Sequence, residues 1–383
     1  MTAFLRDEKI RAVAIQLALV GVVILALVGL VLSTIANLKA RGIPIGFDFL
    51  NVSAGMPIAE SFIAFEPDEP YRKAILVGLV NTLVISLAVI VLASIAGLLV
   101  GIGRLSSNPL VAGLCRVWVE VARNTPAIVL LLFLYALWWQ VLPTARDALQ
   151  LAPGAYLSQR GLVLPRVGIE GSGGELMALL ILILAALLVM GRVARRQREA
   201  TGRQQPFVAM VWLGAVGVLG LAAASGRWSL SVEWPEFRRL NFVGGIEVTP
   251  ELTTIVVGLT LYTAGFIAEI VRAGILAIGK GQWEAGKALG LTRGQLLRLV
   301  IIPQTLRITV PPMTSQYINV VKNSTLAIAV GFQDFMTIMQ TIINQTAHAI
   351  EGVAIILGVY LLLNLSLSAA LNWFNRRIAL VER

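Results

Sequence analysis

The chain runs to 383 residues, of which 57% are apolar and 14% charged, with a mean hydropathy of +0.82. Soluble domains carry about 25% charged residues, so the composition excludes a water-soluble globule, which could not cover its surface, and a disordered chain, which needs low hydrophobicity. The net charge of +10 speaks about partners only once its placement is known, and one cysteine with one histidine excludes a disulfide framework and a multi-ligand Cys/His metal site.

A membrane crossing needs roughly 20 mostly apolar residues. In chain order the candidates are Ala12–Ile35, Ala74–Ile102, Pro126–Leu142, Leu176–Met190, Pro206–Ala224, Leu252–Ala277, Ile308–Val330 and Gly352–Phe374. The expected architecture is therefore an all-α integral membrane protein of about eight transmembrane helices. The first stretch begins like a secretion signal, with Arg6, Lys9 and Arg11, but its apolar run outlasts the usual h-region and no A-x-A site follows. It is read as a retained helix. The fourth and fifth stretches are short, and either tilt, pair as a helical hairpin or extend a few residues beyond these bounds. Pro311 and Pro312 are expected to break the seventh near its start, leaving regular helix from Met313 onward.

Lysine and arginine stay on the cytoplasmic side of a membrane protein. With the N-terminus inside, the basic residues divide about two to one in favour of that side. The acids Asp48, Glu60, Glu66, Asp68 and Glu69 crowd the first outer loop. Both termini are thus expected in the cytoplasm. The run Arg192-Val-Ala-Arg-Arg-Gln-Arg198 resembles a nucleic-acid patch in isolation. Between two apolar spans it reads as a topology anchor against anionic lipid headgroups, and no nucleic-acid partner is expected. The loops 36–73, 143–175 and 225–251 hold proline, glycine and scattered charge without catalytic spacing.

The stretch 278–305 is the informative one. Trp283 to Leu289 has helix-forming composition with Glu284 in its first turn, and Gly290 fits a helix-ending position of positive φ. Gln295 to Ile302 forms a second short amphipathic run, closed by Pro303. The small residues Ala285, Gly286 and Ala288 would let a partner backbone approach closely. Gly281-x4-Gly286-Lys287-Ala288 nearly matches a phosphate-binding loop. The hydroxyl residue that would hold Mg²⁺ is Ala288, and no strand precedes the first glycine. ATP must be handled by another chain.

These residues carry a family resemblance. Glu284-Ala285-Gly286-x3-Gly290-x9-Val300-x-Ile302-Pro303 resembles the EAA loop of ABC-importer permease subunits, E-A-A-x3-G-x9-I-x-L-P, with three size-conservative departures. Gly286, where the family has alanine, is expected to loosen the helix by up to about 1 kcal/mol. Other landmarks are similar to the polar amino-acid branch. They are Gly78-x3-Thr82-Leu-x2-Ser86, Glu120-x2-Arg123-Asn124-Thr125-Pro126, Ala268-Glu269-Ile-x-Arg272-Ala273-Gly274 and Lys322-Asn-Ser324-Thr325-Leu326. They fall in family order over about 74–374. Spans one, four and five lie outside the usual five-helix core, a layout similar to permeases of general L-amino-acid importers.

Charges within spans need a partner or water. Glu269 and Arg272 lie three apart on one helical face, where they either form a buried ion pair or line the translocation path or gate. Lys322 either pairs with an acid from a neighbouring helix or lines that path. Glu120 and Arg123 read as interfacial, Thr125 as an N-cap with Pro126 at the first helical position, and Trp138 and Trp139 as belt aromatics. His348 reads as a solvated or capping histidine, and Gly97-x3-Gly101 as a close-packing face.

The resemblance implies a permease subunit in the bacterial inner membrane, importing polar or general L-amino acids. It implies residues 1–73 as an N-terminal helix and outer loop, 74–374 as the permease domain with its cytoplasmic loop 278–305 and extra helical pair at about 176–224, and 375–383 as a cytoplasmic tail. The implied partners are a second permease subunit, identical or different, two cytoplasmic ABC ATPases, a periplasmic amino-acid-binding protein and membrane lipid. This chain is expected to bind no cofactor or metal and to catalyse no covalent step, with ATP and Mg²⁺ on the ATPases. An ion-coupled secondary transporter would show inverted repeats, and a membrane-embedded enzyme would cluster polar catalytic groups at membrane depth. Neither pattern is visible in the sequence.

Overall fold

The computed structural model describes residues 8–42, 44–171 and 228–378, with short pieces between 182 and 214. The fourth and fifth expected spans lie largely outside the described residues. The chain divides into two compact units, Met1–Ala136 with Glu251–Arg383, and Leu137–Pro250.

The first unit is helical. Its elements are α1 (Glu8–Ala40), α2 (Tyr71–Gly103), α3 (Pro109–Asn124), α4 (Ala127–Val141), α5 (Pro250–Leu276), α6 (Lys280–Ala288), α7 (Arg293–Leu296), α8 (Ile302–Asn323), α9 (Phe335–Thr346) and α10 (Ala349–Ile378). Among the described residues α1, α2, α5 and α10 are each long and apolar enough to cross a membrane. Two further crossings arise if bent pairs count as one span each: α3 with α4, bent by 111°, and the run 293–330 with α9, bent by 55°.

Glycine lets α2 and α5 touch. A Cβ on Gly97 would sit 2.6 Å from Ile267 Cβ, and one on Gly101 would sit 2.8 Å from the Ala268 carbonyl oxygen. The expected close-packing face of α2 therefore meets α5. Small residues at such contacts let dispersion replace the missing hydrophobic drive between helices in lipid.

Three local expectations need correction. Thr125 does not cap α4. It is the C-terminal cap of α3, extended at φ −101° and ψ 129°, with its N–H on the Val121 carbonyl at 3.1 Å. The residue before a proline is pushed out of the helical region, so Thr125 ends α3, and the Pro126 carbonyl opens α4 by accepting from Leu130 N–H at 3.2 Å. Pro311 and Pro312 do not break the seventh span, because α8 runs through both. Proline's fixed φ is itself helical, so two adjacent prolines remove amide donors without forcing the chain out of the helix. Nor does Pro303 close the short run before it. A π turn over Leu297–Ile301 leads directly into α8, whose second residue is Pro303, so the helix carries on through the proline.

The loop between α1 and α2 is structured. Phe49, Ala54 and Met56 are buried with Tyr71, Ala74, Phe335 and Ile338. Asn81 Nδ2 donates to the Glu60 and Gln333 carbonyls, each at 2.9 Å, while Gln333 Oε1 accepts from Ala59 N–H at 2.7 Å. His348 stacks on Phe49 at 4.5 Å, and its Nδ1 lies 2.9 Å from the Thr346 carbonyl oxygen.

The second unit carries antiparallel β-structure where irregular loops were expected. Strands β1 (Leu149–Ala152), β2 (Ala155–Ser158), β3 (Gly161–Leu164) and β8 (Ile246–Val248) form one sheet in that order. β4 (Arg166–Gly171) pairs with β5 (Trp228–Glu233), and β6 (Glu236–Arg238) with β7 (Asn241–Val243). Trp138 Nε1 donates to the Ser158 and Gln159 carbonyls at 3.2 Å each.

Candidate functional site

The loop that the sequence singles out folds as a helical hairpin. α6 starts at Lys280, after Gly279 in an extended conformation, so Glu284 falls mid-helix and not in the first turn. Its end is closed by backbone alone. Gly290 takes φ +71°, its N–H donates to the Lys287 carbonyl at 2.9 Å, and Leu291 N–H donates to Gly286 at 3.1 Å. This pair of bonds is the Schellman closure, and it requires a residue that tolerates left-handed φ. Thr292 then caps α7 through a reciprocal box. Gln295 N–H donates to Thr292 Oγ1 at 3.4 Å, and Thr292 N–H donates to Gln295 Oε1 at 2.9 Å.

The two short helices share a small core of Ile278, Leu296 and Ile301, flanked by Trp283, Leu291, Leu297 and Val300. Gly286 is where they meet. A Cβ there would lie 2.2 Å from Leu296 Cδ1, so the glycine is a packing choice and not only a loosened helix. Gln304 Nε2 at the start of α8 donates to Gln282 Oε1 at 3.2 Å, tying the hairpin back to the following helix. On the outside Glu284, Ala285, Lys287 and Ala288 are exposed, and Leu289 is 80% exposed. A large apolar side chain among small neighbours on a rigid hairpin has the character of a contact surface.

The second constellation is electrostatic. Glu269 on α5 pairs with Arg272 one turn later, with Arg272 Nη2 to Glu269 Oε1 at 2.6 Å and Nε to Oε2 at 3.3 Å. Its Oε2 also accepts from Arg104, the residue that ends α2, and lies 4.0 Å from Arg123 near the end of α3. Arg104 is the most enclosed of the three, at 11% side-chain exposure. Three guanidinium groups from three helices thus converge on one carboxylate. Glu120 does something separate, accepting from Asn124 Nδ2 at 3.3 Å. Lys322, at the end of α8, is exposed, and among the described residues no carboxylate pairs with it. The sequence brought Glu269 and Arg272 together by spacing. Arg104 escaped notice because nothing local marks it.

Several apolar crossings, with a folded hairpin between two of them, define a membrane-embedded protein. The chain belongs to the family described as the binding-protein-dependent transport system inner membrane component, which matches residues 90–380. It is 41% identical over 381 residues to the general L-amino acid transport system permease protein AapQ of Rhizobium johnstonii, covering 98% of this chain and 94% of that protein. It is 39% identical over 385 residues to the putative amino-acid ABC transporter permease protein YhdX of Escherichia coli, covering 98% and 96%. It is 34% identical over 417 residues to the glutamate/glutamine/aspartate/asparagine transport system permease protein BztB of Rhodobacter capsulatus, covering 100% and 97%.

Proposed function

We propose that this chain is the permease subunit of an ATP-binding-cassette importer for polar or general L-amino acids. A periplasmic binding protein delivers the substrate, and a second permease chain completes the path. Two cytoplasmic ATPases hold ATP and Mg²⁺ and grip the α6–α7 hairpin. The observation that carries this reading is the hairpin itself: internally closed by Gly290 and the Thr292 cap, it turns Glu284, Ala285, Ala288 and Leu289 outward. The substrate class rests on the relatives' names. The N-in, C-in orientation rests on the placement of the basic residues, which puts the hairpin in the cytoplasm.

Mechanically, α6 is the coupling helix, Gly290 sets its turn, and the continuous helix through Pro303 into α8 passes its movement to the membrane. Glu269, Arg272 and Lys322 are the candidates for path or gate. The test is copurification followed by reconstitution. An ATPase chain should copurify, and the binding protein should stimulate ATP hydrolysis in the presence of its amino acid. Leu289→Asp or Glu284→Lys should abolish that association while leaving membrane insertion intact. Uptake driven by an ion gradient without ATP would sink the proposal.

A further inference from the structure

The junction around Glu269 contains more charge than an ion pair needs. One carboxylate offers about four lone-pair sites, and Arg272 already takes both oxygens, at 2.6 and 3.3 Å. Arg104 adds a further bond to Oε2, and Arg123 stands 4.0 Å from the same atom. The guanidinium groups come from α2, α3 and α5, so the carboxylate is the shared partner of three helices that otherwise touch through small and apolar residues. Without it, three cations would face one another in a half-buried space, where their repulsion is screened less than in water. The junction also lies on the route to the hairpin. Glu269 is about two turns from the end of α5 at Leu276, and α6 begins at Lys280.

We propose that Arg104 and Arg123 are positioning residues that clamp the ends of α2 and α3 onto Glu269, so that movement of the α6–α7 hairpin is carried by all three helices together. The inference rests on the importer reading above. α5 continues toward the hairpin, and the clamp makes α2 and α3 follow it. If the carboxylate is lost, α5 can move while α2 and α3 stay behind, and ATP hydrolysis is freed from control by the outer face. Contacts that hold packed elements in one of two arrangements couple distant sites in this way.

The experiment uses the reconstituted complex in nanodiscs and reads the ratio of ATP hydrolysis with and without liganded binding protein. Glu269→Gln and Arg104→Gln should raise basal hydrolysis about fivefold or more and bring the ratio close to one, the size of a typical coupling effect. Arg104→Lys keeps the charge and should restore most of the ratio. Arg123→Gln, more exposed and further from the carboxylate, should lower the ratio less. Should the first two variants fail to assemble, Arg104→Lys and Arg123→Gln still order the result. A merely structural role would lower yield or melting temperature with the ratio unchanged, and that outcome overturns the inference. A wild-type complex with no binding-protein-stimulated hydrolysis overturns the importer reading and the clamp together, whereas wild-type stimulation with unaltered variants overturns the clamp alone.

Discussion

Replacing Gly286 by alanine gives a sharp test of how the hairpin is packed. Helix propensity alone favours the change by up to about 1 kcal/mol, and the family pattern carries alanine here. Steric packing opposes it. The added methyl would stand 2.2 Å from Leu296 Cδ1, so the Leu296 side chain, itself only 2% exposed, must rotate or shift within the small core. Overpacking of this kind costs about 1–3 kcal/mol, so the net effect is a loss of about 1 kcal/mol. Leu296→Val removes one methylene, worth about 0.8 kcal/mol of burial, and opens space at the same spot. Each single substitution should therefore loosen the hairpin by a similar amount, and the pair together should be near neutral. Hydrogen exchange at the Leu289, Gly290 and Leu291 amides, which close the end of α6 at 3.0, 2.9 and 3.1 Å, reads that local stability. Each single variant should speed exchange about fivefold, since about 1.4 kcal/mol is tenfold. The double variant should exchange within about twofold of wild type. Additive behaviour, with exchange about 25-fold faster in the double variant, would show that the two side chains do not compete for one space and would refute the reasoning.

Three further predictions use different forces. Gly290→Ala meets no atom within 4 Å, so its cost is the left-handed backbone alone, about 1–2 kcal/mol. ATPase association should weaken by about tenfold, while Gly290→Asn should be milder because asparagine tolerates that region better. Gly101→Val places its Cβ 2.8 Å from a backbone oxygen of α5 that cannot rotate away, so the melting temperature of the purified subunit should fall; an unchanged value would show that α2 and α5 do not pack closely. Outside the spans, a hydrogen bond from Lys73 first, and one from the Glu66 amide next, hold the Glu69 carboxyl below the ordinary glutamate range. The stabilisation they bring is complete above the unfolded value and is lost as pH falls through the lower folded one. Lys73→Gln should therefore raise the Glu69 titration midpoint, followed by carboxylate NMR on selectively labelled full-length protein.

The long spans were legible because a bilayer demands about 20 apolar residues in a row, a signal written entirely in local composition. α2 and α5 begin within three residues of where hydropathy places them. α3 left a weaker trace, because it is 16 residues long, Arg116, Glu120 and Arg123 interrupt its apolar run, and it ends at a bend, so that Glu120 and Arg123 read only as residues before a span. The β-structure left almost none. Its strands are three to six residues long, and β3 with β8, like β4 with β5, joins residues from either side of the stretch 172–227. For those two pairs no window short enough to show strand periodicity contains both partners, while β1–β2, β2–β3 and β6–β7 are local hairpins whose strands are too short to show a clear alternation.

The candidate site divides along the same line. The helix break at Gly290 is a property of one residue's backbone, and Glu269 with Arg272 is a property of helical spacing, so both could be read along the chain. What the spacing could not supply is the partner. Arg104 reaches Glu269 from 165 residues away, and Leu296 meets Gly286 only because the hairpin folds back. In both cases a residue that looks weak in sequence, a glycine where alanine is usual and an arginine at a helix end, gains its meaning from what packs against it. A glycine chosen for room and a carboxylate shared by three arginines both constrain neighbours more than themselves. Single substitutions there should therefore act on the relation between helices, and paired substitutions are the measurements that can show it.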